Sequence, residues 1–152
     1  MEFRITNQKE LDKAFKRASN EDLSIGWTLV FKQHEERRRD AQNRLLYAFL
    51  SQISKQSGHG IDYERGYYKL NYGCPILERD DADFAEFMGI LRYNYTYDKL
   101  IEIMSTERVR VSSDMTVKQF AEYLTDIKNN AESRGIILTS NEDEYLNSLL
   151  NG

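Results

Sequence analysis

Leu45, Leu46, Phe49, Leu50 and Ile53 recur at helical spacing directly after Arg37-Arg38-Arg39-Asp40-Ala41-Gln42-Asn43-Arg44. An apolar stripe of this period commits the segment to a helix with one buried face. Asp40 is the expected N-cap, which sets Arg37, Arg38 and Arg39 in the approach and Gln42, Asn43 and Arg44 in the first turn. Helix N-termini offer free backbone N–H groups and partial positive charge, which suit phosphate. Cationic side chains there work against the helix dipole, so a polyanion is the simplest reason for them. The alternative is a solvated surface partly neutralised by Glu35, Glu36 and Asp40. The amides of Gln42 and Asn43 favour the first reading, because both can donate to a phosphate or read a base edge.

Around this helix, helix and strand signals alternate. Phe3 and Ile5 read as a short strand, and Asn7 with Glu10 as a capping box over a helix with Leu11, Ala14, Phe15 and Ala18 inward. Gly26 to Phe31 is rich in β-formers and reads as a second strand. The arginine-led helix is expected to end near Gly58-His59-Gly60, and a tyrosine-rich helix to be broken by Gly73 and Pro75. Further helices are expected from Asp80 to Tyr93 and, capped by Thr96, from Tyr97 to Met104. Thr106 to Val111 alternates weakly as a strand or extended segment. Thr116 with Gln119 forms a capping box and Met115 with Phe120 a hydrophobic staple, opening a helix that stops at Gly135. Ile136 to Leu138 reads as a short extended segment, and Ser140 as the cap of a last helix. The expected fold class is α+β, one helix-rich domain over residues 1–152 with a small β-sheet.

Composition narrows the function. The 152 residues are 40% hydrophobic and 30% charged, ordinary for a globular chain. No apolar run approaches the ~18 residues that span a membrane, and no signal peptide precedes the core. Cys74 is the only cysteine, which excludes an intrachain disulfide and suits a reducing cytoplasm. His34, His59 and Cys74 are too scattered for zinc, and no cofactor is expected. The net charge of -4 means that any nucleic-acid contact comes from a local patch.

Three constellations could carry chemistry. The first is Arg37, Arg38, Arg39, Gln42, Asn43 and Arg44, with Tyr47 one turn on. The second is the run from Tyr63 to Tyr72, where Tyr67 and Tyr68 stand beside Arg65 and Lys69. Rings interleaved with cations suit single-stranded nucleic acid, since bases stack while cations follow phosphates. The same tyrosines are also readable as half-buried core or interface, which is the more ordinary role for them. Arg108 and Arg110, alternating in an extended stretch, are a third contributor. Asp80, Asp81 and Asp83 could hold Mg²⁺ in a nuclease, but their place before an apolar helical pattern suits helix capping better. No phosphate loop, nucleophile elbow or zinc-protease motif is present, so a non-enzymatic role is expected.

The order Arg39, then Gln42-Asn43-Arg44, then an aromatic at Tyr47 resembles a motif of the phage NinB/Orf recombination proteins. So does the later run through Ser105-Thr106, Ser112-Ser113-Asp114-Met115-Thr116, Gln119 to Leu124 and Ala131 to Ile136. The resemblance implies a homodimer with an α/β fold enclosing a basic channel. It also implies single-stranded DNA binding, association with a host single-strand-binding protein, and recombinase loading in a bacterial host cytoplasm. On this resemblance Gln42, Asn43 and Arg44 match the polar motif at the channel, and Tyr47 stands where the family often has tryptophan. Residues 60–100 depart from the family pattern. A protein-interaction adaptor is the competing class.

Overall fold

The computed structural model describes residues 5–26 and 34–139. The chain forms two compact units, Met1–Lys32 and Gln33–Gly152. In the first, α1 (Gln8–Ser19) starts where expected, with the Asn7 side chain accepting from the Glu10 amide. Glu10 reaches back to Thr6 rather than to Asn7, accepting from its amide at 2.7 Å and its hydroxyl at 2.8 Å. None of α1 is buried, and Phe15 is 56% exposed.

The second unit is built from helices: α2 (His34–Ser57), α3 (Ile61–Tyr68), α4 (Cys74–Asp80), α5 (Ala82–Asn94), α6 (Tyr97–Met104) and α7 (Val117–Ser133). Its core joins Leu45, Phe49, Leu50 and Ile53 of α2 to Phe120, Leu124 and Ile127 of α7, with Tyr68, Met88 and Met104 among them. Gly66 lets α3 and α6 cross at backbone contact, since a Cβ there would collide with the Ile101 carbonyl oxygen.

The α+β expectation is corrected: no β-strand occurs among the described residues, and the second unit is helical. Phe3 and residues 27–31 of the two expected N-terminal strands lie outside the described residues, as does the helix expected after Ser140. The other two strand candidates are extended or looped, but side chains rather than strands complete their hydrogen bonding. The amides of Gln56 and Gln52, one turn apart on α2, each bracket one residue of the 136–139 segment. Gln56 donates to the Ile137 carbonyl at 2.7 Å and accepts from its N–H at 2.9 Å. Gln52 does the same for Thr139, at 2.7 Å in both directions. In 106–111, Val109 and Val111 turn inward and Arg108 and Arg110 outward, as the alternation predicts. There the carbonyls of Thr106 and Val109 accept from the Lys69 ammonium.

Two helix boundaries also differ. α2 begins at His34, so Asp40 is interior rather than an N-cap, and Gln42, Asn43 and Arg44 lie more than a turn past the helix start. Strong helix formers run through this stretch and carry the helix past Asp40. Gly73 and Pro75 do not end the tyrosine helix. The chain widens into a π-turn over Lys69–Gly73, with the Cys74 amide bonding five residues back to Lys69, before α4 continues. Pro75 sits in the first turn of α4, and the wider turn relieves the clash that its ring makes with a regular helix.

The remaining punctuation matches the sequence reading. Thr116 and Gln119 form the capping box, and the stapling side chains Met115 and Phe120 are each 1% exposed. α7 ends at Ser133 and is stopped by Gly135 just beyond, whose φ of 77° takes the left-handed conformation. The Ile136 amide there closes back onto the Ala131 carbonyl. Asp81 caps α5, accepting from the amides of Asp83 and Phe84.

Candidate nucleic-acid interface

The face of α2 away from the core decides which residues of the first constellation reach solvent. Arg37 and Arg38 belong to α2, but their side chains lie outside the described residues. Arg39 donates to the Met115 carbonyl at 3.2 Å, which ties α2 to the approach of α7. Gln42 points inward and is 1% exposed. Its Nε2 donates to the Val117 carbonyl at 2.9 Å, while Oε1 is buried with no partner among the described residues. Gln42 is therefore a joint between helices rather than a surface amide. Asn43, Arg44 and Tyr47 face out, and Tyr47 is 61% exposed.

The second constellation divides in the same way. Tyr68 is fully buried, donating to the Asn130 side chain at 2.9 Å and accepting from Arg134 at 3.0 Å. Burial pushes its hydroxyl up to about 12. Tyr67 is half-buried, with the Arg134 guanidinium 5.5 Å from its ring centre. Neither ring is a free stacking platform. Lys69 is 7% exposed, and its Nζ donates to Thr106 O at 3.1 Å and Val109 O at 2.8 Å. That buried ammonium holds the 106–111 loop and so presents Arg108 and Arg110, both of which are exposed.

Of the outward groups, Asn43, Tyr47 and Arg110 line one cleft of about 290 Å³. From α2 it takes Asn43, Leu46, Tyr47 and Leu50, from α3 and the π-turn Arg65 and Lys69, and from α7 Tyr123. The 107–113 segment contributes Glu107, Val109, Arg110, Val111, Ser112 and Ser113. Among the described residues, the side chains of Asn43, Tyr47 and Arg110 have no hydrogen-bond or ion-pair partner. Other cations are already engaged. Arg79 pairs with Asp80 and Glu122, Arg92 with Glu78, and Arg134 with Glu64. Arg65 reaches Asp62 at 3.1 Å. Apolar walls, three side chains with unmet donors (one of them the exposed Tyr47 ring) and a cationic margin suit a ligand carrying both a flat ring and an anionic group.

Of the residues lining the cleft, Asn43, Tyr47, Lys69 and Arg110 are candidates from the sequence, and Ser112, Ser113 and Arg65 are not. Arg65 was visible only as a cation among tyrosines. The Glu64–Arg134 pair gave no signal, because its members are 70 positions apart.

The acidic residues before α5 have structural roles. Asp81 is the cap, and Asp80 pairs with Arg79 at 2.9 Å while accepting from Gln119 at 2.9 Å. Those hydrogen bonds hold the Asp80 carboxyl far below the usual carboxylate range. No cluster of three or more metal-ligating side chains stands together among the described residues. No described helix is long and apolar enough to cross a membrane. Comparison with protein families, curated proteins and solved structures finds no match to this chain.

Proposed function

We propose that the protein binds single-stranded DNA without cutting it and acts as a mediator of phage recombination, as the NinB/Orf resemblance implies. The observation that carries the reading is the convergence of Asn43, Tyr47 and Arg110, all unpartnered, on a cleft also lined by Arg65 and Lys69. In this mechanism Arg110 attracts phosphate, Asn43 bonds backbone or base, and Tyr47 stacks a base. Arg44, Arg108 and the arginines at 37–39 would extend the electrostatic track. A second copy of the chain and a host single-strand-binding protein are the partners, and the bacterial host cytoplasm the compartment, that this reading carries.

An adaptor that binds protein rather than DNA is the second reading. It is favoured by the outer side of α5, where Phe87, Ile90 and Tyr93 are 42%, 56% and 90% exposed.

The test is binding of fluorescent single-stranded and duplex oligonucleotides across a salt series, in EDTA and in Mg²⁺. The mediator reading predicts retention of intact single strands, with log affinity falling against log salt at a slope of roughly -3 if about four phosphates are neutralised. A slope near zero, or no binding at low salt, would hand the lead to the adaptor. Metal-dependent loss of the strand would contradict both.

A further inference from the structure

Glu64 and Lys69 are the buried charged side chains among the described residues, and they are compensated unequally. Glu64 receives both terminal guanidinium nitrogens of Arg134, at 2.9 and 3.0 Å. Lys69 has no carboxylate within ion-pair distance among the described residues; its ammonium meets only the two loop carbonyls. An ammonium carries three N–H groups, so those two bonds leave one over. Burial pulls its pKa below the ordinary lysine value, and the charge of Glu107 offsets this only in part. Buried charges are ordinarily paired, because water no longer screens or solvates them.

The missing counter-charge has a place to come from. Lys69 lines the cleft of about 290 Å³ together with the unpartnered Arg110, and among the lining residues three cations stand against the single carboxylate of Glu107. The volume lies just below the usual range for ligand clefts, which suits a small ligand.

We propose that the cleft seats a single nucleotide, its phosphate against Lys69 and Arg110 and its base against the Tyr47 ring. This rests on the single-strand-binding reading and names the unit that the site takes. The chemistry is a phosphate ester beside an aromatic base, supplied by a strand or by a free nucleoside monophosphate.

Calorimetric titration of the whole chain with dTMP, with thymidine, and with oligo-dT bearing or lacking a 5′-phosphate tests the proposal. A charge-assisted hydrogen bond to phosphate is worth about tenfold or more in affinity. The expected result is that dTMP binds at least about tenfold more tightly than thymidine and displaces the oligonucleotide. Arg110→Ala should weaken dTMP by about tenfold with no change in unfolding temperature, since its side chain is exposed and unpartnered. Lys69→Met should abolish dTMP binding but also frees the loop, so Arg110→Ala is the deciding variant. Tighter binding of the 5′-phosphorylated strand would put the seat at a strand end, and equal binding would put it along the strand; either supports the proposal. Oligonucleotide binding that neither dTMP nor Arg110→Ala disturbs would overturn the cleft and leave the single-strand reading standing. Binding of dTMP alone would keep the cleft and overturn the single-strand reading. Binding of neither would overturn both.

Discussion

Replacing Arg134 by Met strands a buried carboxylate, and the cost follows from the geometry. Glu64 is 0% exposed, and Arg134 supplies its bidentate partner as well as a bond to the Tyr68 hydroxyl. Burial pushes the Glu64 carboxyl up, but hydrogen bonds from Arg134 and Ser57, with the Arg134 charge, outweigh it and hold the group below its ordinary value. Removing one partner of a buried pair costs about 3–5 kcal/mol, a large share of the roughly 5–15 kcal/mol that holds a domain together. With a urea dependence of about 2 kcal/mol per molar, the unfolding midpoint at pH 7 should fall by about 2 M.

The pH dependence has a definite sign. A carboxyl whose folded pKa is depressed contributes stability above its unfolded value of 4.5, and loses it as pH falls through the folded value. In Arg134→Met the lone carboxyl is instead pushed up by burial and is relieved by taking a proton. The gap between wild type and variant should therefore shrink from pH 7 towards pH 4. Glu64→Gln combined with Arg134→Met should recover most of the loss, because the remaining amide is neutral. Urea titrations at both pH values provide the assay. A loss under about 1 kcal/mol, or a gap that does not change with pH, would refute the account.

Two further perturbations probe the packing. Gly66→Ala should destabilise by about 1–3 kcal/mol in urea titration, despite the ~1 kcal/mol that Ala gains in helix propensity, because its methyl meets the Ile101 backbone where α3 and α6 touch. Higher stability would show that the helices separate freely. Cys74 is fully buried and burial pushes its thiol up to about 12, so a disulfide reagent at pH 8 should modify it only at the rate of unfolding. Modification within seconds in native buffer would contradict that packing.

What the sequence could convey was mostly local. Asn7, Thr96 and Thr116 were legible as caps because a cap needs only a short polar side chain and the amides two or three residues on. Gly135 was legible as a stop for the same local reason. The strands were over-read, because alternation records which side chains are buried and not what completes the backbone hydrogen bonding. At Ile137 and Thr139 the complement is a pair of glutamine amides on α2, and at Thr106 and Val109 it is the ammonium of Lys69. The start of α2 was placed late, because Asp40 imitates a cap inside a run of residues that favour helix anyway. At the site, Asn43, Tyr47 and Arg110 were legible because outward residues are fixed by helix phase and alternation. The burial of Gln42, Tyr68 and Lys69 was not, because the groups they bond lie 37 to 75 residues away.

The central claim, that the cleft beside Tyr47 receives single-stranded DNA, is tested most directly by photo-crosslinking. A bromodeoxyuridine-substituted single strand would be irradiated with the protein and the crosslinked peptide mapped. The account predicts a crosslink at Tyr47 that is lost with Arg110→Ala. Crosslinks confined to Phe87 and Tyr93 on α5, or none at concentrations where the strand is bound, would contradict it.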